Sequence, residues 1–185
     1  MSMPRVGDWS LTFSGRQIWP LDPRPEDIFI EDVAHHLSCI NRFCGATREP
    51  YSVAQHCCHV SDLLPEHLRF EGLHHDDPEF VLNDLHRPLK YGLPQYLELE
   101  KIWWAVIAAK YGLTPVEPCS EVKRIDNVLV VTERRDLLPA GGPQWEVQKH
   151  YQPDPNLIIQ PWPAWRAEHE FLERHVELLS WRKAR

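Results

Sequence analysis

The chain lacks a CxxC pair, and its cysteine count is odd. The five, Cys39, Cys44, Cys57, Cys58 and Cys119, include one adjacent pair. This argues against a disulfide framework and a structural zinc knot, and leaves reduced thiols packed on helices. No apolar run approaches the ~20 residues that cross a bilayer. The stretch from Met1 to Trp9 has no basic segment followed by an apolar one. A secretory leader and a membrane partner are therefore not expected, and the cytoplasm is the expected compartment. An excess of positive charge is also missing, the formal net charge being −7. Polymeric nucleic acid is then an unexpected partner. A small anionic substrate stays compatible, because a bound cation and a few placed basic side chains set the local field. Internal repeats and low-complexity segments are absent as well.

What the chain has is histidine, eleven in 185 residues. His35, His36, His56, His59, His74, His75 and His86 all fall in the first half. The length suits a single domain, 1–185, with a real core. Helical periodicity dominates, which predicts an all-α bundle of about five to six helices behind a short irregular N-terminal segment. Trp9 to Phe13 reads as a small strand with a turn at Ser14-Gly15. Three prolines between Trp19 and Pro25 forbid a helix interior there.

The first helix is expected from about Arg24 to Asn41, with Ile30, Val33, Ala34, Leu37 and Ile40 in one stripe. A second opens at Ser52, where Ser52-x-x-Gln55 has the capping-box pattern, and runs to Leu64. A third starts near Pro65 and carries His75 and Asp76 at its far end. A fourth spans about Pro94 to Tyr111, with Leu97, Ile102, Trp103, Val106 and Ile107 buried and Gly112 as its stop. A fifth spans about Ser120 to Leu138, with Val122, Ile125, Val128, Leu129 and Thr132 on one face. The core of the domain is placed at about 26–138, an irregular loop at 139–163 and a C-terminal docking helix at 164–183. Phe171, Leu172, Val176, Leu178 and Leu179 are that helix's apolar positions.

Four stretches carry chemistry: Tyr51-Ser52-Val53-Ala54-Gln55-His56, Leu73-His74-His75-Asp76-Asp77-Pro78-Glu79, Asp84 with Pro88-Leu89-Lys90, and Val122-Lys123-Arg124-Ile125-Asp126. The order H…HD…D, with a Glu three residues after the HD, resembles the HD-domain metal phosphohydrolases. Over roughly residues 16–136 it is most similar to their small branch of bacterial 5'-deoxynucleotidases and phage deoxynucleotide hydrolases. The resemblance implies an HD-domain bundle that binds one divalent transition ion, Co, Mn, Zn, Ni or Fe, through His56, His75, Asp76 and Asp126. Two imidazoles and two carboxylates suit such ions. It implies Glu79 as the group assisting proton transfer and Asp84 as a second acidic residue near the substrate. Ile40-Asn41-Arg42-Phe43 is similar to the element that places an arginine on phosphate and an aromatic ring against the sugar. Arg42, Phe43 and Lys90 are thus the expected substrate-binding residues. Phe43 stands where Trp is more usual, and Asp77-Pro78 follows the HD where small residues are more usual.

The expected activity is removal of the 5'-phosphate of deoxynucleoside monophosphates by metal-activated water. The runner-up is a deoxynucleoside triphosphate triphosphohydrolase. A third reading, of another class, is an HD module that binds a nucleotide without turnover. A homodimer is expected by the same resemblance. A two-ion site would need further ligands from His59, His74 or His86, and Trp19 and Trp145 are minor candidates for a base pocket.

Overall fold

A small hairpin leads into the helices of the computed structural model, which describes residues 4–114 and 116–184. Residues 1–3, the start of the stretch read for a leader, lie outside the described residues. Strands β1 (Ser10–Leu11) and β2 (Gln17–Ile18) pair antiparallel, Ser10 opposite Ile18. Gly15 takes φ 80° in the turn between them, a conformation only glycine adopts at low cost.

Helix α1 spans Ile30–Cys39, six residues later than the periodicity suggests. The cause is Pro25, which holds Arg24 extended (φ −137°, ψ 145°), so the chain makes a separate 3-10 turn at Pro25–Asp27. Helix α2 spans Val53–Leu63, and the Ser52 Oγ accepts from the Gln55 N–H at 3.2 Å. The other half of the capping box is not made. Gln55 instead donates to the Gln160 carbonyl at 2.8 Å and accepts from the Trp162 N–H at 2.7 Å, tying the later loop to α2.

Helix α3 (Arg69–His74) ends before the HD pair, so His75 and Asp76 sit in a turn, not within the helix. Pro78 has no N–H to give His74, and the His74 carbonyl takes the Asp77 N–H at 3.1 Å. Glu79 then opens a new short helix, α4 (Glu79–Leu82). Another short one, α5 (Arg87–Tyr91), has no sequence counterpart in the periodicity. Helices α6 (Pro94–Tyr111), α7 (Ser120–Leu137) and α8 (Ala164–Lys183) lie close to their expected bounds. Gly112 caps α6 in the left-handed conformation, φ 65°. The fold is all-α, with five long helices and three short ones among the described residues. None of those helices is long and apolar enough to cross a membrane.

Helix α2 is buried on nearly every side, from Val53 to Ser61. One face joins Val33, Leu37, Leu73, Trp103, Ile107 and Phe171 in a core with α1, α3, α6 and α8. The other joins Tyr51, Val122, Ile125 and Leu129 in a second core against α7. Ile102 and Val176, expected to be buried, are exposed, because Trp104 and His175 turn inward beside them. The segment 139–163 is irregular but strapped down. Asp154 N–H bonds Thr132 Oγ1 at 2.9 Å, Ile159 N–H bonds Asp136 at 2.9 Å, and Ile159 is buried.

Phe171 is fully buried on α8. Phe171→Ala is expected to cost about 3–5 kcal/mol, read as a lower urea midpoint at unchanged m-value, since the cavity cannot collapse between three helices.

Candidate metal centre

His56 projects from the middle of α2, His75 and Asp76 from the turn after α3, and Asp126 from the second turn of α7. Their donor atoms converge. His56 Nε2 lies 3.3 Å from His75 Nε2, 3.5 Å from Asp76 Oδ2 and 3.3 Å from Asp126 Oδ1. His75 Nε2 is 3.3 Å from Asp76 Oδ2. Donors ~2.1 Å from one ion, at tetrahedral to octahedral angles, stand ~3.0–3.4 Å apart, so the spacing fits a shared cation.

The hydrogen bonds behind the imidazoles select the tautomer. His75 Nδ1 faces the Gly72 carbonyl at 2.8 Å, and a carbonyl only accepts, so Nδ1 carries the proton. His56 Nδ1 faces Glu133 Oε1 at 2.6 Å, with the same outcome. Both Nε2 atoms are thereby aimed at the common centre, the arrangement by which outer groups orient metal-binding histidines. Gly72 serves twice, because a Cβ there would collide with the Leu64 Cδ1 methyl, which would have to move aside.

Glu133 is the residue that reading the sequence missed. Fully buried, it also accepts from Tyr51 Oη at 2.9 Å and from Arg42 at 3.3 and 3.2 Å. Burial works against its charge, yet Arg42, His56 and Tyr51 hold its pKa below the usual carboxylate value. A signal did exist: Glu133 follows Asp126 by seven residues, two turns along the same face of α7, inside an apolar stripe. Burial and Arg42 favour the neutral His56 ring, but Glu133 and Asp126 outweigh them and raise its pKa to about 9. Burial also opposes the charges of Asp126 and Asp76, and the two histidines and Arg42 keep both acids ionised. Cys57 stands near His75 and Asp76 in a second donor group, but burial pushes its thiol well up, away from the thiolate that binds metal. His56, His75 and Asp126 therefore form one group that could hold a metal ion, and Asp76, within 3.5 Å of both imidazoles, stands beside it.

Asp76 and Asp126 open onto a cavity of about 950 Å³. Arg42, Phe43, Glu79, Asp84 and Lys90, all expected at the substrate, line it too. Arg42 is committed on three sides, its third contact being Asp76 Oδ2 at 3.4 Å. The Lys90 ammonium sits between Glu79 Oε1 at 3.1 Å and Glu100 Oε1 at 2.7 Å, so it holds Glu79 in place. Glu79 Oε2 is buried with no hydrogen-bond partner, and burial with Asp76 and Asp84 nearby raises its pKa well above the ordinary value. Arg87, unforeseen, reaches Asp126 Oδ2 at 3.0 Å and Asn127 at 2.7 Å.

The extra histidines divide. His74 is locked between Asp77 at 2.7 Å and His175 at 2.9 Å, and burial lowers its pKa to about 3. His59 lies against Gln55 and Trp162. His86 alone of the three lines the cavity. Trp145 also lines it, whereas Trp19 packs under the Arg5 guanidinium at 4.1 Å.

No family model matches the chain. It is 39% identical over 172 residues to the uncharacterized protein YfdR of Escherichia coli, covering 93% of this chain and 96% of that protein. It is 35% identical over 191 residues to an uncharacterized protein of Rhodobacter capsulatus, covering 92% and 95%. The chain belongs to the family of these proteins.

Two outcomes are expected. Elemental analysis should find one divalent ion per chain, lost in His75→Ala and Asp126→Ala, and held roughly 10–100-fold more weakly in Glu133→Gln. Proton and metal compete for His56 Nε2, so metal affinity should climb with pH and level off above about pH 9. Calorimetry in buffers of different ionisation heat should register close to one proton released at pH 7, and no release there would count against His56 as a ligand.

Proposed function

We propose that this chain is a metal-dependent phosphohydrolase of deoxynucleotides that removes the 5'-phosphate of deoxynucleoside monophosphates, with the domain an HD bundle. The observation that carries the reading is the two imidazole nitrogens and two carboxylates converging at the floor of a cavity whose wall also presents a buried, unpaired carboxyl oxygen. When bound, a divalent ion such as Mn, Co, Zn, Ni or Fe would supply Lewis-acid polarisation of a phosphoryl oxygen and lower the pKa of water.

The protein's own groups divide the remaining work. Arg42, always protonated and presenting NH1 to the cavity, takes a phosphate oxygen in trade for its long contact with Asp76. Glu79, biased toward its protonated form by burial and by Asp76 and Asp84, gives a proton to the departing sugar oxygen as the bond to phosphorus breaks. Lys90 fixes the other oxygen of Glu79, so Oε2 keeps its aim. Asp84, just beyond Asn83, lies on the same wall and suits a sugar hydroxyl. Neither aspartate of the donor set is free to attack phosphorus, so water is the nucleophile.

One feature favours the triphosphate as the second reading. The cavity extends past Arg42 to a second guanidinium, Arg87, which is more cationic lining than one phosphate requires. A nucleotide panel with added Mn or Co, resolving phosphate, pyrophosphate and triphosphate, separates the two readings. Nucleotide binding with no product of any kind would leave the non-catalytic module.

Glu79→Gln keeps the shape and the hydrogen bond to Lys90 but has no acidic proton. Turnover is expected to drop by roughly two to four orders of magnitude at unchanged metal content. In the unsubstituted chain turnover should decline as pH rises through the elevated Glu79 pKa, because the acid form is the working one. Near-normal turnover in Glu79→Gln would overturn this role.

A further inference from the structure

The cavity wall is not made of charged groups alone. Phe43, Val130, Trp145, Val147 and Tyr151 line it as well, and the greater part of its wall is apolar. A phosphate has no use for such a wall, and a sugar against Phe43 uses only part of it. The ligand that fits it has an anionic head and a flat apolar body.

The aromatic residues are fixed in advance. The Phe43 and Trp145 rings lie 5.9 Å apart at 32°. The Arg134 guanidinium covers Trp145 at 4.5 Å from the ring centre, and Arg134 itself bonds the Gly141 and Pro143 carbonyls. The Trp145 backbone N–H donates to the Gln148 side-chain oxygen at 2.8 Å. Phe43 has φ 55° and Cys44 φ 47°, two successive left-handed residues that are not glycine. Such strain persists only where neighbours over-determine it, and it concentrates at ligand sites. Here Arg42 is clamped to Tyr51 and Glu133 on the preceding side, and the strained turn keeps Phe43 on the cavity wall.

We propose that Phe43 and Trp145, with Val130 and Val147 lining the same cavity, form a stacking subsite for the nucleobase, to which the 139–163 loop contributes Trp145 and Val147. The subsite reads the flat face of a base, not its edge, so it accepts any nucleotide and favours the larger purines. The inference rests on the phosphohydrolase reading for the phosphate end only. The two rings already touch, so the base lies across their cavity side and is not inserted between them.

The test uses the full chain and ligands that cannot be hydrolysed. Deoxyadenosine and 2-deoxyribose are titrated by ligand-observed NMR. Deoxyadenosine should bind roughly ten- to a hundredfold tighter, the range for a base stacked on aromatic side chains. Trp145→Ala should erase most of that difference, Trp145→Phe should keep it, and Trp165→Ala, a change at an exposed tryptophan, should not alter it. The comparison in the unsubstituted chain stands even if a variant folds poorly. Equal binding of the two ligands, an unchanged difference in Trp145→Ala, or octyl phosphate binding better than deoxyadenosine monophosphate would overturn the subsite. Deoxyadenosine binding without phosphate release from any nucleotide would instead sink the hydrolase reading and leave the subsite standing.

Discussion

The carboxylate of Glu133 is the constraint on which the rest is built. A charge with no solvent contact is tolerated only when its oxygens are fully engaged. Glu133 engages them with three segments at once: Tyr51 from the chain before α2, His56 from α2, and Arg42 from the turn after α1. These bonds lock α7 to α2 at one rotation and one height. Because Asp126 lies two turns up the same face of α7, that lock also sets how far Asp126 stands from His56. Removing one partner of a buried ion pair costs about 3–5 kcal/mol. The same network therefore serves stability and ligand placement together.

Around this fixed point the chain accepts backbone conformations that packing alone does not favour. Phe43 and Cys44 are left-handed, and Asn83 has φ 68° and ψ 159°. All three border the cavity residues Arg42, Phe43 and Asp84. Each sits next to a short, irregular connection, where no helical ladder is lost by the departure. The long helices α2 and α7 carry His56 and Asp126, the turn after α3 carries His75 and Asp76, and the strained turns carry residues that line the cavity. That division puts precision where a few tenths of an ångström matter.

How much of this was legible in the sequence follows from the range of the interactions. Local signals worked: Pro94 and Gly112 bound α6, Ser52 caps α2, and the apolar stripe of α7 placed Asp126 inward. The donor set was legible because residue types and order carry it. Long-range pairings were not. Gln55 looked like half of a capping box, yet its amide spans more than a hundred residues to Gln160 and Trp162. Arg87 sits on a short helix with no periodicity to announce it and meets Asp126 only in three dimensions. The 139–163 loop read as structureless because its order comes from side chains of α7, Thr132, Arg135 and Asp136, that hold its backbone.

An acidic chain with a cavity for an anion is a charge problem, and the lining resolves it. Asp76, Asp84 and Asp126 would repel a phosphate from the cavity, and the buried Glu133 adds to the same field. Arg42 and Arg87 do not cancel this freely, since each already rests on an aspartate of the donor set. A cation shared by Asp76 and Asp126 weakens both pairings at once. Arg87 and the Arg42 Nη1 would then face the cavity with their aspartate partners taken, Arg42 staying bonded to Glu133, and phosphate is the anion whose geometry fits planar donors. On the proposed reading, affinity for the anion is conditional on the metal and is set by these local charges more than by net charge.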